Sequence, residues 1–262
     1  MFGLGRPKPP VDQDELDWLM ACFAWLMREF GAVEKLTALR VILPDERDYP
    51  PSRLQGHARA VELFDQTRAH AGMKDWPCDL VAGVADRERK VALGHALKHH
   101  QSSPLGTFGY ADGRYFITYN PTSLAYPQTL VATFAHELAH YLLHTATTRP
   151  PGGAALAEHA TDLGAVFLGF GVFMANSAKT FRQFEGGGEM GWEMRGAGYL
   201  SENALVTALA MFVRLSHGEP KAAEAELKPY LRGVFRKALA AVDRLHPDLA
   251  AGIAAVDLAD WA

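Results

Sequence analysis

The sequence predicts an α+β protein in which a small sheet comes first and the second half is helical. Two observations carry this. The strand signals lie before residue 121, in "LRVILP" (39–44), "CDLVAGV" (78–84) and "FGYADGRYFITYN" (108–120). From residue 128 onward the apolar residues recur at helical spacing. Strands followed by a run of helices pack as an α+β arrangement. No internal repeat is visible. The chain divides into an N-terminal helical extension (1–38), a core (39–200) and a C-terminal helical subdomain (201–262).

After a proline-rich start, residues 12–31 read as an amphipathic helix with acidic residues at its head and Gly31 as its stop. Arg6 and Lys8 before an apolar stretch superficially resemble a secretory signal. Asp12, Asp14, Glu15 and Asp17 intervene, however, and two tryptophans follow without a small-residue cleavage site. "LRVILP" is β-branched and closed by Pro44, hence a strand. Residues 45–56 form a loop, and 57–72 have helical periodicity ending at Gly72. "CDLVAGV" is a second strand, and the Asp112-Gly113 pair between two alternating aromatic segments marks a hairpin. Pro127 suits the first turn of a helix over 128–147, which "TTRPPGG" (147–153) ends. A second long apolar helix covers 154–180, and the glycine-rich 183–198 is loop. Ser201 can N-cap the next helix, and helices continue to about 245. The amphipathic spacing of 221–246 suits packing on the body, the commoner outcome, or on a partner protein.

Composition narrows the function. The 262 residues are 48% hydrophobic and 21% charged with a formal net charge of −4, which is ordinary globular composition. The pI near 6.3 and the scattered Lys and Arg point away from nucleic acid. The most apolar segment, 163–175, falls short of a membrane span and reads as a buried helix, so no membrane association and a cytoplasmic location are expected. Cys22 and Cys78 are too few for a disulfide framework or a cysteine metal site.

The chemistry-bearing stretch is "ATFAHELAHYLLH" (132–144). It holds His136-Glu137-Leu138-Ala139-His140, an HExxH pattern. On a helix, positions i and i+4 share a face, so both imidazoles can converge on one zinc ion while Glu137 takes a proton from the activated water. With eleven histidines in the chain, chance placement yields the motif with a probability of roughly a few per cent. Two ligands leave zinc incomplete, and "AEHATDL" on the next helix offers Glu158 as the third. One turn on, Asp162 can fix the tautomer of a ligand imidazole. An acid at a helix start and an incidental aspartate are the bland alternative. Yet Asp162 precedes thirteen apolar residues, and a carboxylate on so buried a helix requires a partner.

His144 lies eight residues after His136, about 12 Å along the helix, too far to share an ion with it. It reads as a rim or interhelix residue, and His159 as structural. For the developing oxyanion, Arg195 or Tyr199 in or just beyond the glycine-rich stretch is the candidate donor. Packing of Tyr199 and Trp192 onto the core is the competing explanation.

"HELAH" followed by Glu158-His-Ala-Thr-Asp162 resembles the gluzincin metallopeptidases, which carry HExxH and a downstream ExxxD. The resemblance implies a zincin-like core with a small mixed sheet and an edge strand over the HExxH helix. It implies zinc held by His136, His140 and Glu158, with Glu137 as general base and Asp162 behind a ligand. "RYFITYN" resembles the edge strand along which zincins pair an extended peptide. "HELAHYLLH" is also similar to ImmA/IrrE-type peptidases, although the segment after it departs from their pattern; the stretch from 158 onward is more similar to bacterial zincin-like proteins. The expected function is therefore a zinc-dependent peptidase acting on a protein or peptide. A non-catalytic zincin-fold interaction module, with structural or lost zinc, and a zinc hydrolase of another amide are the alternatives.

Overall fold

Asp12 begins the first helix, α1 (Gln13–Phe30). Its carboxylate accepts the Glu15 N–H at 2.8 Å, and Asp14 and Glu15 fill the first turn, where the helix dipole favours negative charge. Every residue from Trp18 to Met27 is buried, so the middle of α1 is enclosed on all sides, while Gln13, Asp14, Asp17 and Arg28 near its ends are exposed. The computed structural model describes residues 8–31, 40–83, 105–184 and 199–261.

Helix α2 (Gly56–His70) leads to a three-stranded sheet of β1 (Asp79–Ala82), β2 (Gly106–Ala111) and β3 (Arg114–Tyr119) in the order β1-β3-β2. β1 runs parallel to β3, with Asp79 opposite Phe116. β2 and β3 form the expected hairpin, Ala111 opposite Arg114. Its two turn residues, Asp112 and Gly113, both have positive φ (50° and 79°), the conformation that keeps the turn in step with strand twist. The sheet corrects one expectation. "RYFITY" is β3, the central strand, because β1 pairs with its other side; the edge beside the histidine helix is β2.

Pro127 opens α3 (Pro127–His144), which carries HExxH and packs against α2, β2 and β3. The segment 145–156 brings the chain back as α4 (Ala157–Ala165), followed by a wider π turn (Val166–Phe170) and α5 (Gly171–Phe184). The apolar stretch 153–180 is, among the described residues, the one helical run long and apolar enough to cross a membrane, and its most apolar 18 residues are wholly buried within the protein.

The expected strand at 39–44 is not one. Residues 41–43 are buried and Arg40 is exposed, and none of the four joins a ladder. The Ile42 N–H donates to the Gly169 carbonyl at 2.9 Å inside the π turn, and the Leu43 N–H to the Asp48 carboxylate at 2.7 Å. Gly169 permits this approach: its φ is +101°, and a Cβ there would lie 2.5 Å from the Arg40 carbonyl oxygen. The β-branched run thus signalled burial, which strand and buried coil share.

Ser201 caps α6 (Glu202–Leu215) as expected, accepting the Ala204 N–H at 3.0 Å. Helices α7 (Pro220–Glu226), α8 (Pro229–Leu245) and α9 (Leu249–Ala254) complete the chain. The apolar stripe of α8, including Leu231, Phe235 and Val242, packs on α6. Buried residues from Val11 to Ile253 belong to one hydrophobic cluster, and α1, α3, α4 and α6 all contribute to it.

Candidate metal centre

α3 places His136 and His140 one turn apart, and α4 sets Glu158 between their outer nitrogens. His136 Nε2 and His140 Nε2 lie 3.5 and 3.4 Å from Glu158 Oε2. The three donor atoms lie within 4.8 Å of one another, close enough to share one metal ion. The trio opens to solvent on one side: the His136 side chain is 3% exposed, against 20% for His140 and 26% for Glu158.

Both imidazoles are fixed from behind. His136 Nδ1 lies 2.9 Å from Asp162 Oδ1, and an ionised carboxylate can only accept, so Nδ1 carries the hydrogen. The other Asp162 oxygen accepts the Leu200 N–H at 2.7 Å. His140 Nδ1 lies 3.3 Å from Thr161 Oγ1, whose single hydrogen goes to the Ala157 carbonyl at 3.0 Å. The threonine therefore accepts from His140 Nδ1–H. In each ring the chain holds Nδ1, and Nε2 is the nitrogen left to face Glu158, the position from which an imidazole would bind a metal.

Charge points the same way. Burial opposes a charged His136, but the hydrogen bonds to Asp162 and Glu158 and the charges of Asp162 and Glu137 outweigh it, pushing the imidazole up to about 10. Burial also works against an ionised Glu158, yet hydrogen bonds from His136 and His140 hold its carboxyl well below the usual range. Three carboxylates around two imidazoles create a demand for positive charge, which a proton or a metal cation at Nε2 can meet.

Glu137 faces the sheet edge. It is buried, and its carboxylate accepts the backbone N–H of Phe108 in β2. Burial pushes its pKa up, against the pull of His140, His136 and that N–H. Gly106 makes the contact possible: a Cβ there would meet Thr133 Cγ2 at 2.7 Å and Glu137 Oε1 at 3.1 Å.

No protein-family model matches the chain, nor does any curated protein or solved structure. The site is therefore read from its own geometry. His136, His140, Glu158 and Asp162 come together as the spacing predicts. Tyr199 is 7% exposed, its ring edge-on to His136 at 5.1 Å between centroids. Arg195, Trp192 and the pair His99-His100 lie outside the described residues. His144 stands apart from the trio, beside Tyr115 and Phe108 at 5.9 and 6.1 Å. His159 turns to Trp18 at 6.1 Å. Thr161 was missed by the sequence reading, as was the Leu200 N–H. The signal for Thr161 was present: it stands one turn beyond Glu158, on the same helical face.

Proposed function

We propose that the chain is a zinc-dependent peptidase, with His136, His140 and Glu158 as the metal ligands. The observation carrying this is the separation of the donors. Ligands bound to a single tetrahedral zinc at about 2.0–2.1 Å stand about 3.3–3.5 Å apart. The two histidine–glutamate separations, 3.5 and 3.4 Å, agree with that spacing. Nitrogen and carboxylate donors in a partly open site suit zinc in its catalytic form.

Zinc, when bound, supplies Lewis acidity that acidifies water and polarises a carbonyl. The chain supplies the remainder. Glu137 takes one proton from the attacking water as the water oxygen bonds to the carbonyl carbon, and returns that proton to the amide nitrogen as the C–N bond breaks. Its burial favours such an exchange, because a carboxyl with a raised pKa holds a proton more readily. Asp162 and Thr161 keep the two imidazoles turned. Tyr199, against His136, is the described candidate for donating to the oxyanion. β2, the sheet edge beside Glu137 among the described residues, offers a protein or peptide substrate a strand to pair with beyond the Phe108 N–H that Glu137 takes.

The test is Glu137→Gln. Zinc content, by elemental analysis of protein dialysed against trace zinc, and melting temperature should match the parent protein. Hydrolysis of a quenched-fluorescent peptide mixture should fall at least a thousandfold. Undiminished hydrolysis in that variant would remove Glu137 as the base, and a parent protein without zinc would remove the metal assignment.

A further inference from the structure

The segment between the two ligand helices, 145–156, has little regular structure of its own. It includes Arg149-Pro150-Pro151, two consecutive left-handed glycines, Gly152 and Gly153 (φ 81° and 58°), and a single 3-10 turn. Its shape nevertheless decides where Glu158 stands relative to His136 and His140. The chain pins it from a distance.

Glu29, near the end of α1, accepts the backbone N–H groups of Thr147 at 2.7 Å and Thr148 at 3.2 Å, and both threonine hydroxyls. One turn earlier, Trp25 Nε1 donates to Thr148 Oγ1 at 2.9 Å. Two turns earlier again, Trp18 Nε1 donates to the Pro151 carbonyl at 3.1 Å, and its indole meets the ring of His159, the residue after Glu158. From the far end of the chain, the Trp261 carbonyl accepts the Gly152 N–H at 3.0 Å. Trp18 and Trp25 are each 2% exposed, so the tryptophan end of the clamp is set in the core, while the Glu29 bonds to the two threonines lie at the surface.

We infer that α1 is a metal-positioning device: Glu29 and Trp18 fix the connector and thereby seat Glu158 against the histidine pair. The inference rests on the metal assignment above. Neither residue touches a ligand atom; each acts through 145–156 and the first turn of α4. A carboxylate accepting four hydrogen bonds holds both threonines in one conformation, and the tryptophans lock the connector to a rigid core helix. Loosening the clamp lets Glu158 sample positions from which Nε2 of one histidine is out of reach.

The experiment measures zinc dissociation of the full-length protein by competition with a chromophoric chelator, well below the melting temperature, for the parent, Glu29→Ala, Glu29→Gln and Trp18→Phe. Glu29→Ala should weaken zinc about tenfold, in the range for outer partners of metal ligands. Glu29→Gln, which keeps one acceptor but turns an NH2 towards the other backbone N–H, should recover part of that affinity. Trp18→Phe retains a ring against His159 but loses the bond to Pro151, so a smaller loss of about threefold is expected; it also carries the test if Glu29→Ala does not fold. Zinc affinity unchanged in folded variants whose melting temperature falls would make the clamp purely structural and overturn the inference. Absence of zinc binding in the parent would instead overturn the metal assignment beneath it.

Discussion

His136 and His140 present the same atom to the same oxygen of Glu158, from 3.5 and 3.4 Å, yet the protein holds them differently. His136 is enclosed, and a buried carboxylate grips its Nδ1 at 2.9 Å. His140 is partly open to water, and a neutral hydroxyl holds it at 3.3 Å. A charge-assisted bond is about twice as strong as a neutral one. The inner imidazole is therefore the fixed post of the site, and the outer one is the adjustable group beside the opening. Asp162 extends this difference, since its second oxygen takes the Leu200 N–H and ties the fixed post to the segment that starts α6.

The sharpest way to break the comparison is Asp162→Ala. It strips the carboxylate from His136 and leaves the Leu200 N–H buried without its acceptor. Zinc affinity should fall about a hundredfold, the upper end for a partner of a metal ligand. Stability should drop by about 2–3 kcal/mol from the unsatisfied donor. Asp162→Asn sharpens it further: the amide oxygen can serve one donor, but its NH2 then faces the other, so the recovery is partial. Chelator competition and thermal melting read both quantities. Equal zinc affinity in Asp162→Ala and the parent would show that His136 needs no partner.

Thr161→Val tests the weaker side. Valine keeps the shape but removes the acceptor for His140 Nδ1–H. The loss in zinc affinity should be about tenfold, smaller than for Asp162, because water can reach the exposed imidazole and replace the hydroxyl. Melting should hardly change. A loss as large as that of Asp162→Ala would mean the two histidines are held alike.

The same contrast explains what was legible in the sequence. Ligand spacing is local and helical, so His136, His140, Glu158 and Asp162 could be placed from 3.6-residue periodicity once two adjacent helices were recognised. The hairpin was legible because Asp112-Gly113 has only a few conformations to offer. What failed was non-local. β3 became the central strand because β1 joined it from the far side, a pairing that neither segment announces. Ile42 and Leu43 looked like part of a strand, but their backbone N–H groups go to a π turn and an aspartate. Helix α1 reads as amphipathic, but the neighbours that also enclose the polar side of its middle turns, Trp18 to Met27, come from elsewhere in the chain. Thr161 escaped because a hydroxyl on a helix has many uses and only the neighbouring imidazole reveals this one.

Gly106→Ala perturbs neither histidine and probes the carboxylate beside them. The new methyl would press on Thr133 Cγ2 and the Thr118 carbonyl, 2.7 and 3.0 Å from its position, and on Glu137 Oε1. Overpacking of this kind costs about 1–3 kcal/mol, and displacement of Glu137 should lower peptide hydrolysis at least tenfold. Zinc affinity should stay within about threefold of the parent. Loss of zinc together with activity would show that β2 positions the ligands as well as the base.

The smallest effect on the metal is expected from Asp48→Asn, which weakens the fold far from the trio. The Asp48 side chain is wholly buried and accepts from Arg40 at 2.8 Å and from the Leu43 N–H at 2.7 Å, holding 40–43 against Gly169. Burial would raise its pKa, but the Arg40 hydrogen bond, the Leu43 N–H and the charges of Arg40 and Arg47 keep the carboxyl below its ordinary value. A carboxyl more acidic when folded adds its full stability above the unfolded pKa of about 3.9, and that stability disappears as pH falls through the lower, folded value. Asparagine turns an NH2 towards Arg40, donor against donor, and should cost about 1–3 kcal/mol at pH 7. In denaturant titrations the gap between the two proteins should therefore be constant from pH 7 to about 5 and close as the pH drops below about 4. Zinc affinity at pH 7 should not change, because 40–43 contacts the π turn beyond α4 rather than the turn that carries Glu158.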